Sequence, residues 1–117
     1  MKSQPQLQPR LRFPHDGPDA FGPGKAELLR QIVKAKSIRG AATAMGMSYN
    51  RAWILVRTMN ELFREPLVEN VRGGNTGGGA SLTPCGQAVL KHYDRMEALC
   101  RKATRTEWSA LTRLLRR

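Results

Sequence analysis

Apolar and small residues recur through the middle of the chain with the period of helices that bury one face. Between Lys25 and Ala35 they fall at Ala26, Leu28, Leu29, Ile32, Val33 and Ala35, a helical spacing rather than an alternation, which predicts a first helix. A second helix is predicted from about Ile38 to Met45, with Ser37 as its N-cap. The third runs from Tyr49 to about Arg64 and is predicted to bury Ala52, Trp53, Val56, Met59 and Phe63 along one stripe, with Leu55 and Leu62 beside it. Its other face offers Asn50, Arg51, Ile54, Arg57, Thr58 and Glu61. Gly46 separates the second and third helices where a sharply turning backbone needs positive φ, and Ser48 follows as a second N-cap. The stretch Ser37 to Glu61 is therefore a helix-turn-helix, and Pro66 stops it because the residue before a proline resists helical geometry.

On either side the pattern changes. Residues 1–24 are rich in Pro, Gln and Gly with few residues to bury, so residues 1–9 are expected to be a flexible arm. The alternation Leu11, Arg12, Phe13 reads as a short strand able to add to a sheet elsewhere. After the third helix, Leu67, Val68 and Val71 suggest a strand, RGGNTGGGA a glycine-rich connection, and Ser81 and Leu82 a second strand. A β-hairpin in that place is a wing. Thr83 then caps a new helix with Pro84 at its first position, where the missing amide is not needed. Val89, Tyr93, Met96, Cys100 and Ala103 recur at steps of four and three, a heptad-like stripe suited to a dimer helix. The tail holds Trp108, Leu111, Leu114 and Leu115 on a basic amphipathic helix that either continues the long helix or folds back beside it.

Composition narrows the partner. The 117 residues have room for one small domain, and 20 Lys and Arg against 9 Asp and Glu give a net charge of +11. That balance favours a polyanion, nucleic acid before membrane. Residues 25–64 hold eight basic and two acidic side chains and residues 101–117 six and one, whereas 65–100 hold three and four, so the excess sits on the helical core and the tail. No apolar run approaches the ~20 residues of a membrane span and MKSQPQLQPR lacks the hydrophobic block of a signal peptide, so a cytoplasmic location is expected. Cys85 and Cys100, about 22 Å apart at ~1.5 Å per residue if both lie on one helix, do not suggest a disulfide. Simple packing is the reading for both, with a redox switch at Cys85 as the alternative.

Taken together, SIRGAATAMGMSYNRAW, MNELFREPLVE, GGNTGGGA and LTPCGQAVL, in this order and spacing, resemble the N-terminal DNA-binding domain of ModE-type molybdate-responsive regulators, winged relatives of the LysR class. The resemblance covers about residues 10 to 100. It implies a mainly α fold with a small β-hairpin wing: a winged helix-turn-helix over residues 10–82 and a C-terminal helical dimerisation segment over 83–117. It further implies a homodimer on a palindromic operator of double-stranded DNA, with the helix beginning at Ser48 in the major groove and the wing along adjacent backbone. Family members usually carry Lys or Arg followed by Gly inside the wing, where this chain has Asn75 and Thr76, and a glycine before the serine of the second helix, where it has Lys36. ModE regulators sense molybdate through C-terminal domains; the chain ends at Arg117 without them, so no molybdate site is expected in it.

The residues assigned to DNA are Lys36, Arg39, Ser48, Tyr49, Asn50, Arg51, Ile54, Arg57, Gly74, Asn75 and Thr76; those assigned to dimerisation are Val89, Tyr93, Met96, Cys100 and Ala103. Asn50 can pair bidentately with adenine and Arg51 with guanine, while Lys36, Arg39 and Arg57 are phosphate contacts. Tyr49 either donates to a phosphate or packs under the helix start. The wing glycines lack the Lys-Ser or Lys-Thr pair of a nucleotide cradle, and His15 and His92 have no cysteine or acidic pair at ligand spacing, so neither a cofactor nor a metal is expected. Nothing resembles a nucleophile, base and orienter set, and no enzymatic activity is expected. The leading reading is a sequence-specific transcriptional regulator. Its alternatives are a sensorless interaction module that heterodimerises with another regulator and a nonspecific basic nucleoid protein.

Overall fold

Serine and threonine hydroxyls set the starts of three helices. In the computed structural model, which describes residues 4–72 and 78–116, the Ser37 hydroxyl accepts from the Gly40 amide at 2.9 Å and opens α2, Ile38–Ala44. Ser48 accepts from the Arg51 amide at 3.1 Å and opens α3, Tyr49–Leu62. Thr83 accepts from the Gly86 amide at 3.0 Å and opens α4, Pro84–Ala103, whose first residue is the expected proline. Each such bond satisfies an amide that would otherwise be orphaned in the first turn. Before them, α1 spans Pro23–Ala35. Gly46 has φ +67° in the turn between α2 and α3, as that tight connection requires.

Pairing of β1, Val68–Arg72, with β2, Gly78–Leu82, is antiparallel in the register Val68 to Leu82 through Arg72 to Gly78. This hairpin is the wing. The order is thus α1, α2, α3, β1, β2, α4 and then α5, Arg105–Thr112. Among the described residues the fold is mainly α with one hairpin, the winged helix-turn-helix expected. Its core joins Leu28, Leu29 and Ile32 of α1, Ala41 and Ala42 of α2, Ala52, Val56 and Met59 of α3, and Leu67, Leu82 and Tyr93.

Three junctions hold the hairpin and α4 in place. The Asn60 side chain accepts from the Leu67 and Val68 amides and donates to the Val68 carbonyl, tying the end of α3 to the start of β1. Thr83 donates its amide to the Leu67 carbonyl at 2.9 Å and its hydroxyl to the Pro66 carbonyl at 2.6 Å, so the cap of α4 also grips the chain entering the wing. Finally, the Ala80 amide donates to the Lys36 carbonyl at 3.0 Å, fastening β2 to the corner between α1 and α2. Arg30 bridges α1 to Asp94 and Glu97 of α4 and pairs with Glu27. Burial works against the Arg30 cation, but the Asp94 and Glu27 carboxylates outweigh it and hold its pKa above the ordinary value.

The structure corrects several expectations. Leu11 to Phe13 does not extend a sheet; Phe13 forms an isolated bridge with Phe21, and the two rings stack beside Phe63 and Tyr93. Helix α3 ends at Leu62, two residues before Arg64, with Phe63 extended at φ −102°, ψ 167° so that its ring turns back into that aromatic cluster. Val33 is exposed, and so is Trp53, at 41%. Trp53 lies about 100° around the helix from Ala52, past the edge of the stripe that faces α1 and α2. The tail neither runs on unbroken nor folds back: Thr104, at φ −100° and ψ 6°, interrupts the helix, and α5 beyond it buries no residue.

Gly86 sits so close to the junction that a Cβ there would lie 2.1 Å from the Leu67 carbonyl oxygen. That atom is backbone in a buried segment and cannot move aside cheaply. Gly86→Ala is expected to destabilise the fold by about 3 kcal/mol, measured by urea denaturation.

Candidate nucleic-acid interface

One surface gathers the exposed residues of α3, the start of α2 and the near side of the hairpin. Ser48, Tyr49, Asn50, Arg51, Trp53, Ile54 and Arg57 are all exposed along α3, because Ala52, Val56 and Met59 take the opposite face into the core. Residues 50, 53, 54 and 57 are neighbours at helical steps of three and four, so Asn50, Trp53, Ile54 and Arg57 form one outward strip. The Thr58 hydroxyl is spent on the Ile54 carbonyl at 2.9 Å, which removes it from that strip as a free donor.

At the strip's N-terminal end stands Arg39, whose guanidinium carbon lies 4.5 Å from the centroid of the Tyr49 ring. A cleft of about 290 Å³ opens beside this pair, lined by Ser37, Ile38, Arg39, Tyr49, Asn70 and the strand from Gly78 to Ala80. Among the described residues the ion pairs are made by Arg12 and Arg30, and none takes Lys36, Arg39, Arg51 or Arg57. Among the described residues these four exposed cations have no carboxylate partner, and two of them, Lys36 and Arg39, lie beside the hairpin, which raises the positive potential on that side.

Lys36 occupies the corner between α1 and α2 with φ 62° and ψ 20°, a left-handed conformation, and its amide closes α1 by donating to the Ile32 carbonyl at 2.8 Å. A Cβ is costly in this conformation, which glycine adopts freely. Its carbonyl is the acceptor for Ala80, so the strained residue and the hairpin anchor are the same residue. Gly79 lets the strand approach: a Cβ on it would lie 2.8 Å from that carbonyl oxygen.

Of the residues assigned to DNA, Arg39 and Tyr49 meet at the cleft, Lys36 lies just before Ser37 at its edge, and Ser48, Asn50, Arg51, Ile54 and Arg57 are exposed at the start of α3 and along it. Gly74, Asn75 and Thr76 lie outside the described residues. Two members of the surface were missed. Trp53, expected in the core, is exposed, and Asn70, on β1, carries no sequence signal because nothing in its neighbourhood marks which side of a hairpin faces a helix. For the dimerisation set the outcome divides. Tyr93 is only 1% exposed; its ring packs edge-on to Phe21 and its hydroxyl donates to the Leu11 carbonyl at 2.7 Å, so it belongs to the hydrophobic core of the chain and not to a seam. Val89 packs against the same core, Cys100 is half-buried, and Met96 and Ala103 are exposed. Both cysteines are free. Among the described residues no group of His, Cys, Asp and Glu could hold a metal ion, and no helix is long and apolar enough to cross a membrane.

Residues 24–87 match the family described as bacterial regulatory helix-turn-helix protein, lysR family. The chain is 40% identical over 103 residues to the molybdenum-pterin-binding protein MopA of Rhodobacter capsulatus, covering 88% of this chain and 38% of that protein. It is also 40% identical over 81 residues to the DNA-binding transcriptional dual regulator ModE of Escherichia coli K12, covering 69% and 31% respectively. The chain thus spans less than two-fifths of the length of these relatives. Among solved structures, the CbnR_DBD–DNA complex superposes with a TM-score of 0.57 at 19% identity, covering 74% of this chain and 95% of that one, which shows the fold.

Replacing Lys36 by glycine removes the left-handed penalty while keeping the carbonyl that holds Ala80. Lys36→Gly is expected to raise stability by about 1 kcal/mol in chemical denaturation.

Proposed function

Because the chain belongs to the lysR family of bacterial regulatory helix-turn-helix proteins, we propose that it is a sequence-specific DNA-binding transcriptional regulator that acts as a homodimer on a palindromic operator. The observation that carries the reading is the α3 strip: polar, cationic and apolar side chains point outward together beside four unpaired cations among the described residues. Asn50 and Arg51 supply bidentate hydrogen bonding to base edges, and Ile54 and Trp53 supply apolar contact with thymine methyl groups. Lys36, Arg39 and Arg57 sit where flanking phosphates pass and fix the register.

Dimerisation is supported by what the C-terminal helices leave uncovered. On α4, Met96 and Leu99 are 41% and 59% exposed, and around α5 Leu111, Leu114 and Leu115 are 53%, 80% and 47% exposed. Apolar residues at that density on one end of a small protein call for a partner. In this reading residues 10–82 form the reader and 83–117 the dimerisation segment, with α4 serving both because its first half, through Val89 and Tyr93, is built into the reader. Two identical reading helices then lie roughly 34–36 Å apart, one turn of duplex.

A second reading, an interaction module that pairs with another regulator, draws on a groove of about 920 Å³ between the end of α1 and the hairpin, where Val33 and Val71 are exposed at 54% and 42%. Selection from random duplex DNA separates the two. The first reading expects a two-fold symmetric consensus, a dimer in sedimentation, and a loss of about 1–3 kcal/mol in affinity with relaxed base preference at one position for Arg51→Ala or Asn50→Ala. A pool that never departs from random sequence, or variants with unchanged affinity and preference, would overturn it.

A further inference from the structure

We infer that Arg39, Tyr49 and Asn70 form a seat for one phosphodiester of bound DNA, in which Tyr49 is a positioning residue that holds the Arg39 guanidinium ready for the phosphate. The inference rests on the DNA-binding reading above and goes beyond it by giving the Tyr49 ring a role that is neither of the two left open by the sequence, and by adding a contact from the wing.

Three observations converge. First, Arg39 lies 4.5 Å over the Tyr49 ring, inside the distance at which a guanidinium is attracted to an aromatic face, and among the described residues no carboxylate competes for it. A guanidinium lying on a ring keeps its N–H edge for a bidentate grip on phosphate. Holding this long side chain still before binding also lowers the ordering cost that complex formation would otherwise carry. Second, the pair borders a cleft of about 290 Å³ with room for a phosphate group and its waters. Third, the opposite wall carries Asn70, an exposed residue of β1 whose amide is a second donor to the same anion. The cleft keeps its shape because both sides are fastened: Ser37 caps α2, and β2 is bonded to Lys36 one residue earlier. A phosphate held here would touch α2, α3 and the wing at once, which fixes the angle at which α3 enters the groove.

The test is the salt dependence of affinity for duplex DNA, using the whole chain and variants whose thermal transitions match wild type. Arg39→Ala is expected to reduce the slope of log affinity against log salt by about 0.9, the loss of one phosphate contact. Tyr49→Ala, which removes no charge, is expected to reproduce most of that reduction and to add nothing when combined with Arg39→Ala. Tyr49→Phe keeps the ring and is expected to keep the slope, and Asn70→Ala is expected to weaken binding severalfold with the slope unchanged. A wild-type slope for Tyr49→Ala, damage by Tyr49→Phe equal to that of Tyr49→Ala, or wild-type affinity for Asn70→Ala would overturn the seat while leaving DNA binding intact. A wild-type chain that shows no salt-dependent binding at all would overturn the seat and the functional reading together.

Discussion

The hydrogen bond from the Ala80 amide to the Lys36 carbonyl is the constraint on which the interface depends. Ala80 is buried, so its amide has no water to fall back on, and leaving it unpaired would cost about 1–3 kcal/mol. The carbonyl it reaches is presented by a residue held left-handed, directly before the serine that caps α2. A single bond therefore joins the end of α1, the start of α2 and the second wing strand. With Asn60 tying α3 to β1, and Thr83 tying the chain just before β1 to α4, α3 cannot shift relative to the wing without breaking these hydrogen bonds. Rigidity of that kind is what a surface needs if several of its side chains are to meet fixed points on a duplex.

Around this frame the aromatic cluster does a separate job. Phe13, Phe21, Phe63 and Tyr93 come from the N-terminal segment, the end of α3 and the middle of α4, and their rings meet within 5.3–6.0 Å. The Tyr93 hydroxyl then closes on the Leu11 carbonyl, so the segment before α1 is strapped across α4. Lys25 adds to the strap by donating to the Pro18 and Ala20 carbonyls, and burial, helped by the nearby Arg12 cation, pulls its pKa below the ordinary value. One consequence is a division of α4. Its first half is anchored in the core, whereas beyond Met96 its apolar positions face outward and carry on toward the uncovered leucines around α5.

What was legible in the sequence was local chemistry. Ser37, Ser48 and Thr83 cap because hydroxyls at those places have amides within reach, Gly46 turns because a glycine can, and the hairpin is bounded by Pro66 and by the threonine and proline at Thr83 and Pro84. The family's own pattern was legible too, and it led to the winged fold and to the outward side of α3. What escaped were positions decided by a third element. Trp53 is apolar and adjacent to the buried stripe, but whether it is covered depends on how α1 and α2 cross α3. Tyr93 matches a heptad as well as a core position, and only the N-terminal segment lying across α4 chooses between them. Phe13 reads as strand, yet it pairs with Phe21 alone, through two backbone hydrogen bonds and stacked rings, and no ladder extends from the pair. Asn70 gave no sign of its place opposite Arg39, since register and twist set which hairpin side chains face a helix. Left-handed Lys36 shows the reverse: the departure from the glycine pattern was visible, while the cost it carries was not.

In the proposed function α3, the start of α2 and the near side of the wing form one DNA-facing surface. Amide chemical shifts of isotope-labelled chain, followed as a selected duplex is added, test it most directly. The largest changes are expected on Ser37 to Arg39, Ser48 to Arg57 and Asn70, with the α4 and α5 amides little altered. Changes confined to the basic C-terminal helix, with the α3 amides undisturbed at saturation, would contradict it.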